Sequence, residues 1–168
     1  MVNTRRHTRR LKMKQKGGKS MAVNFPEAQF KTLLPVTFHR PVDGGPFTMA
    51  QTRQAPIFSW STMPRTSTYY TYICFDPDSS VPSWIHLLIV NCRNNRTESG
   101  IAVLPWQPPA PSSGTHRYIF GLYTHSYPMP TNPISDRGSF DVKGFIEKNG
   151  LKPVAGAYMK VSAAAGSA

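Results

Sequence analysis

The stretch that decides the fold of this chain is Ile85-His86-Leu87-Leu88-Ile89-Val90, in which every side chain except that of the histidine is apolar. A strand with one face in water alternates polar and apolar residues, and this stretch shows no such alternation. Its β-branched residues favour an extended backbone. We therefore predict a strand that is covered on both faces, in the middle of a β-sandwich.

Short β-rich segments recur on both sides of this stretch and are separated by proline and glycine. We predict strands, each rich in β-branched or aromatic residues, at 36–39, 57–60, 69–75, 85–92, 117–123 and 157–161. Residues 105–114 contain four prolines, which cannot pair inside a sheet, so this segment is predicted to form a rigid loop.

One helix is predicted over residues 140–149, with Ser139 as its N-cap. Val142, Phe145 and Ile146 share one face of this helix, and Gly150 follows it as a C-terminal stop. Together, these segments predict a mainly β fold, an antiparallel β-sandwich with one or two short helices.

Length and composition limit what the chain can be. Its 168 residues suffice for one domain with a hydrophobic core and exclude a multi-domain enzyme. Hydrophobic residues form 39% of the chain and aromatic residues 11%, which does not fit a chain that is disordered throughout. No window approaches the ~20 consecutive apolar residues of a membrane span, and the N-terminus has no signal-peptide pattern. We expect no membrane span and no secretion by a signal peptide.

The positive charge is concentrated in residues 1–20, which carry +8 of the formal net charge of +12 and contain no acidic residue. The eight basic residues are Arg5, Arg6, Arg9, Arg10, Lys12, Lys14, Lys16 and Lys19. Such a run repels itself and attracts anions, so we predict an extended arm that contacts acidic protein surfaces or nucleic acid. A solubilising or nuclear-import tail is the alternative. The domain is then predicted at 21–161, with a small-residue tail at 162–168.

The two cysteines, Cys74 and Cys92, each lie inside an apolar, strand-like segment. Buried thiols are the first interpretation, and the small number of cysteines favours a reducing compartment. A disulfide is the alternative if the two strands are neighbours.

Polar residues gather at the ends of the predicted strands. Asp76 and Asp78 close one strand, His86 opens the next, and His116 follows the proline-rich loop. Strand ends and rigid loops are where binding groups usually lie. Two histidines beside two carboxylates indicate an anion pocket or a metal site. Zinc needs three or four ligands, and because no short-range His or Cys pair supplies them, we predict no metal.

Three segments resemble the signature regions of the phosphatidylethanolamine-binding protein (PEBP) family. They are Asp76-Pro77-Asp78, residues 85–91 and residues 114–123. The resemblance continues upstream through 55–60 and downstream through 140–149 and 153–157, so that it covers residues 30–161 in unbroken order.

The resemblance implies an antiparallel β-sandwich with a small pocket for phosphate-like groups, phospholipid headgroups or similar anions, in a protein that binds without catalysis and without a cofactor. By position, the pocket residues are Asp76, Asp78, His86, Pro109, Pro111, His116 and Tyr118. Protonated imidazoles and a tyrosine hydroxyl can donate to anionic oxygens, and nearby carboxylates are expected to raise the pKa of both histidines. The alternative is a hydrogen-bonded network that only holds the loops.

The chain departs from the family pattern close to this pocket. Ser79-Ser80 stands where the family usually has a proline after the second aspartate, and Leu87 replaces a typical tryptophan. The loop before His86 is short, and we expect no lid helix after the last strand. These departures predict an open or altered pocket.

We expect a non-enzymatic, PEBP-like structural or interaction module within a large assembly of protein chains. The end of the basic arm, Gly17-Gly18-Lys19, resembles tails on proteins of large DNA viruses, which makes a minor capsid protein, in a virion or in the cytoplasm, the preferred form. The alternative is a soluble binder of phospholipid headgroups or phosphate anions, or a kinase-pathway regulator as among cellular relatives. A hydrolase is disfavoured, since no glycine-flanked elbow surrounds Ser79 or Ser80.

Overall fold

The fold is built on one six-stranded sheet. A computed structural model describes residues 23–24, 29–30, 32–60, 69–81, 83–93, 96–132 and 134–164. The strands are β1 (Val23–Asn24), β2 (Gln29–Phe30), β3 (Val36–Thr37), β4 (Pro46–Phe47), β5 (Ile57–Phe58), β6 (Tyr69–Asp76), β7 (Trp84–Cys92), β8 (Ile101–Leu104), β9 (Thr115–His125) and β10 (Lys152–Ser162). These residues also include one α-helix, α1 (Val142–Lys148), and 3₁₀ turns at Ala50–Thr52 and Thr97–Ser99.

The strand order of the large sheet is β4-β10-β9-β6-β7-β8. Neighbouring strands from β10 to β8 pair antiparallel, whereas β4 pairs parallel to β10. The short antiparallel pair β3–β5 packs over one face of this sheet. The mainly β class and the layered β architecture are therefore confirmed.

Alternate residues of the central strand β6 enter two separate cores. Tyr72 and Cys74 pack on the face that β3 and β5 cover. Ile73 and Phe75 pack on the opposite face, which α1 covers with Val142. Because both faces are covered, both sets of side chains are apolar, and the strand shows no polar alternation.

The stretch 85–90 lies within β7, which is covered on both faces as predicted. However, β7 is second from the edge of the sheet, because β8 pairs with its outer side. The strand β8 is not predicted from the sequence, although its four apolar residues between Gly100 and Pro105 form a run as long as two of the predicted strands.

The strands β9 and β10 are longer than predicted and extend into polar residues. Thr115 is paired with Ser162 at the end of their ladder, and the two hydroxyls lie 2.8 Å apart. The strand β10 therefore continues one residue into the predicted tail 162–168. Residues 165–168 and the predicted arm, 1–20, lie outside the described residues.

The helix is shorter than the predicted 140–149, and its N-cap is Asp141 instead of Ser139. The Asp141 carboxylate accepts a hydrogen bond from the Gly144 N–H at 2.9 Å, which satisfies a free donor of the first turn. Gly150 follows the helix with φ +59°, a left-handed conformation that glycine adopts without strain. Among the described residues, no helix has both the length and the apolar character needed to cross a membrane.

Both cysteines are free and buried, which confirms the first interpretation. Although β6 and β7 are neighbours, Cys74 lies opposite Leu87 and Cys92 lies opposite Tyr70. The two thiols are thus separated by four positions along β6, or ~13 Å at the rise of a strand, which is beyond the reach of a disulfide. Burial raises the pKa of the Cys92 thiol to about 12.

Candidate functional site

A cavity of about 210 Å³ opens where β6 ends and where β7 and β9 begin. These strands are neighbours, and their antiparallel pairing brings the three strand ends to one edge of the fold. We call it the polar cavity, and its lining residues are Asp76, Ser79, Ser80, Trp84, His86, Gln107, Pro108, Ala110, Pro111, Ser112, His116 and Tyr118.

Asp76 is the centre of the hydrogen-bond network in the polar cavity. Its carboxylate is buried and accepts from His116 Nδ1 at 2.7 Å and from the backbone N–H of Asp78 at 2.8 Å. These donors compensate the loss of water around the carboxylate, and they fix the orientation of the His116 ring. Burial, together with the nearby charge of Asp76, raises the pKa of the Tyr118 hydroxyl in the same cavity.

The His86 imidazole is held by the backbone of the proline-rich loop. Its Nδ1 lies 2.6 Å from the carbonyl oxygen of Gln107, and because a carbonyl only accepts, Nδ1 carries the proton in the neutral ring. The Nε2 atom of the neutral ring is then an acceptor.

Burial holds the pKa of His86 below its usual value, although the bond to Gln107 and the charge of Asp76 act in the opposite direction. The expectation that neighbouring carboxylates raise the pKa is therefore wrong for His86, because desolvation of the buried ring outweighs them. The ring is neutral near pH 7.

Asp78 does not line the polar cavity. Its carboxylate accepts from the Arg117 guanidinium at 2.6 and 2.8 Å and from the Arg117 backbone N–H at 2.8 Å. These bonds to Arg117 hold the pKa of Asp78 below its usual value. The carboxylate faces a shallow groove beside the cavity, which Lys160 also lines.

The proline-rich loop supplies one wall of the polar cavity, but not with both predicted prolines. Pro108 and Pro111 line the cavity, whereas Pro109 is buried and does not. The structure thus brings together five of the predicted residues, Asp76, His86, Pro111, His116 and Tyr118. Asp78 and Pro109 are the two that it places outside the cavity, and the ligand roles of all seven stay predictions.

Arg137 supports the site, and this role is not predicted from the sequence. Its guanidinium donates to the backbone carbonyls of Ile85, His86 and Pro105 at 3.0, 3.1 and 2.8 Å. It therefore ties the start of β7 to the loop that carries Gln107. Since all three acceptors are backbone atoms, no side-chain pattern in the sequence indicates this role.

The polar groups of the cavity determine what chemistry it can support. Ser79 donates its hydroxyl to the carbonyl of Val81 at 3.0 Å and not to an imidazole. Within the described ranges, no three His, Cys, Asp or Glu residues form a group that could hold a metal ion. The cavity provides two imidazoles of fixed orientation, hydroxyl groups, and one carboxylate that already accepts hydrogen bonds from the protein.

Comparison with known proteins finds relatives that are similar in sequence. CEN-like protein 1 of Nicotiana tabacum is 31% identical over 97 residues, which are 53% of this chain and 56% of that protein. A 26 kDa secreted antigen of Toxocara canis is 29% identical over 149 residues, 77% of this chain and 56% of the antigen. The chain thus spans about half the length of the curated relatives that it matches.

Solved structures share the fold. A carboxypeptidase Y inhibitor, solved in complex with its cognate proteinase, superposes with a TM-score of 0.70 at 20% identity, over 82% of this chain and 86% of that chain. The phosphatidylethanolamine-binding protein from Plasmodium vivax superposes with a TM-score of 0.68 at 19% identity, over 79% and 87%.

The family model described as phosphatidylethanolamine-binding protein matches residues 34–159 of this chain. The matched segment begins before β3, ends within β10 and contains all residues that line the polar cavity. The chain belongs to the phosphatidylethanolamine-binding protein family.

Proposed function

We propose that this protein is a non-enzymatic binder of small phosphate-like anions, and that the polar cavity is the binding site. The observation that carries the proposal is the fixed pair of imidazoles in this cavity. His116 is held through Nδ1 by Asp76, and His86 is held through Nδ1 by Gln107. Each ring therefore keeps Nε2 for a ligand.

The size of the cavity favours a headgroup over a larger molecule. Its volume of about 210 Å³ lies below the ~300–1,000 Å³ of pockets for drug-sized ligands. Free phosphate and the phosphate of a lipid headgroup share the chemistry that this site would recognise. The relative from Plasmodium vivax carries the name of a phospholipid that has such a headgroup.

The charge of the imidazoles sets how the site would bind an anion. A protonated imidazole donates from both nitrogens, whereas a neutral ring with its proton on Nδ1 presents only a lone pair at Nε2. The pKa of His86 is lowered by burial, so acid is needed to turn its Nε2 into a donor. Anion binding is therefore expected to strengthen as the pH falls below about 6.5.

The test is an NMR titration of the full chain with inorganic phosphate and, separately, with phosphorylethanolamine. Shifts are expected at the residues of the polar cavity, with a dissociation constant of ~mM because the ligand is small and the cavity is open. Tighter binding of phosphorylethanolamine would identify a lipid headgroup as the ligand, and equal binding would identify the phosphate alone.

Two variants and one control make this test specific. His86→Ala and His116→Ala are expected to weaken the shifts, whereas His39→Ala, which removes an exposed histidine that does not line the cavity, leaves them unchanged. If no cavity residue shifts up to ~50 mM ligand, the dissociation constant lies outside the proposed range and the imidazoles only hold the loops.

The role in a large assembly stays a prediction, as does the minor capsid role. Both depend on the basic residues of 1–20, which lie outside the described residues. Contacts of this segment with acidic proteins or with nucleic acid are likewise predictions from charge alone.

A further inference from the structure

A second cavity, of about 250 Å³, lies on the opposite face of the large sheet from the polar cavity. We call it the apolar cleft. Its floor is formed by β7 and β8, one wall by Pro130, Asn132 and Ile134, and the other by α1 with the flanking residues Phe140 and Asn149. Its apolar lining residues are Leu88, Val90, Val103, Pro130, Ile134, Phe140 and Phe145.

The cleft leaves apolar surface partly in contact with water. Leu88 and Val90 at the floor are buried, but Val103, Phe140 and Phe145 around them are only partly buried. The rings of Phe140 and Phe145 pack against each other with centroids 5.2 Å apart. An apolar ligand in this space would remove these side chains from water, which is the main driving force for binding apolar groups.

The walls of the cleft are fixed by hydrogen bonds to backbone groups. Asn91, with φ +59°, both donates to the carbonyl and accepts from the N–H of Met129, at 2.9 and 2.7 Å, which anchors the chain just before the first wall. Ser83 donates to the carbonyl of Phe140 at 2.9 Å, and Asn149 donates to that of Phe145 at 2.8 Å. Binding would therefore require little ordering of the protein, as is typical of small-molecule sites.

One charged residue lines the apolar cleft, and it is a cation. Lys148 lies at its rim on the last turn of α1 and is exposed. No ion pair within the described ranges occupies its ammonium group, and no acidic residue lines the cleft. A ligand with an apolar body and one negative charge at its end matches this arrangement.

We propose that the apolar cleft binds a small amphipathic carboxylate, such as a medium-chain fatty acid. The hydrocarbon chain lies over Leu88 and Val90 between the two phenylalanine rings and Ile134. The carboxylate lies at the rim, where it pairs with the ammonium group of Lys148. This site is separate from the polar cavity and shares none of its residues.

The experiment is a titration of the full chain with hexanoate and octanoate, followed by methyl NMR. Saturable shifts are expected at Leu88, Val90, Val103 and Ile134, and octanoate should bind more tightly than hexanoate, by about fourfold for each added methylene that is buried. The residues of the polar cavity should not shift. Octyltrimethylammonium, which has the same chain and the opposite charge, should bind more weakly than octanoate.

Different variants test the contribution of the Lys148 charge and that of the apolar floor to binding. Lys148→Met should weaken octanoate binding about two- to fivefold, the range of an exposed ion pair, and raised salt should reduce the difference. Lys143→Met changes an exposed lysine of the same helix that does not line the cleft, and should have no effect. Val103→Phe, which fills the cleft, should abolish binding while thermal melting verifies that the variant is folded.

Three results would overturn the proposal. They are the absence of shifts at the cleft methyls, equal or tighter binding of the cationic detergent, and equal losses from the two lysine substitutions. Shifts at His86 and His116 in place of the cleft methyls would place the carboxylate in the polar cavity and would equally overturn it.

Discussion

The polar cavity and the apolar cleft have similar volumes, about 210 and 250 Å³, and opposite chemistry. The polar cavity lies at strand ends, where β7 and β9 bring in histidines and loops bring in serine and glutamine residues. The apolar cleft lies over the middle of β7, where the side chains that alternate toward α1 are Leu88 and Val90. One sheet can therefore carry two kinds of cavity, because strand ends admit polar groups that a covered sheet face excludes.

The two sites also differ in what they contribute to folding. The polar cavity is held together by a buried side-chain hydrogen bond between two of its lining residues, His116 and Asp76. The walls of the apolar cleft are held by side-chain bonds to the backbone carbonyls of Phe140 and Phe145, and its one charged group is exposed. Replacing a polar residue by alanine should therefore reduce the stability strongly at the polar cavity and hardly at all at the apolar cleft.

The largest effect is expected for Asp76→Ala. The substitution leaves the donors His116 Nδ1–H and Asp78 N–H without their buried acceptor, so unfolding should become easier by about 3 kcal/mol. Urea denaturation with fluorescence detection measures this change. Lys148→Ala at the apolar cleft is the matched control and should stay within about 0.5 kcal/mol of the wild type. Equal losses in the two variants would remove the distinction between the cavities.

A smaller effect is expected from acid. Burial lowers the pKa of both His86 and His125, so below about pH 6.5 the unfolded chain binds protons before the folded chain does. The stability is complete above that pH and is lost as the pH falls toward the folded pKa values. The slope should reach at most about 1.4 kcal/mol per pH unit for each histidine.

Urea denaturation in phosphate-free buffers between about pH 8 and pH 5 measures this loss. His86→Asn, whose amide can replace the donor to Gln107, should remove one histidine's share of the slope. The methyl signals of the apolar cleft should not titrate in this range, because no histidine lines it. A slope that persists unchanged in His86→Asn would contradict the buried, neutral state of this ring.

Much of the fold could be predicted from the sequence because each strand is indicated by its own residues. A strand that is covered on both faces has a continuous apolar run, and 69–75 and 85–92 show it. The gathering of Asp76, His86 and His116 could also be predicted, since each lies at a strand end. Arg137 could not, because it lies 51 positions from His86 and its acceptors are backbone carbonyls.

The different roles of the two aspartates cannot be predicted from the residues next to them in the sequence. Asp76 and Asp78 are the same residue type two positions apart, and the sequence predicts the same role for both. Their roles diverge because β9 offers them different partners, His116 to the first and Arg117 to the second. His116 and Arg117 are adjacent residues of β9 and point to opposite sides, so only the pairing of these distant segments decides which aspartate is buried.

The smallest effect is expected for Asp78→Ala, which sharpens the contrast with Asp76. The side chains of Asp78 and Arg117 keep 28% and 45% of their surface exposed, so water and salt screen this pair. The loss of stability should stay below about 1 kcal/mol, and it should shrink when the salt concentration is raised to ~1 M. Because burial and not charge alone separates the two aspartates, the cost should differ about threefold or more between them.

A double-mutant cycle with Arg117→Ala, measured by urea denaturation, isolates the coupling of this pair. The lowered pKa of Asp78 means that the coupling is present above its unfolded pKa of about 3.9 and is lost as the pH falls through the folded value. Phosphate-induced shifts at His116 should survive in Asp78→Ala, since Asp78 does not line the polar cavity. A stability loss equal to that of Asp76→Ala, or disappearance of those shifts, would show that the groove beside the cavity is part of the same site.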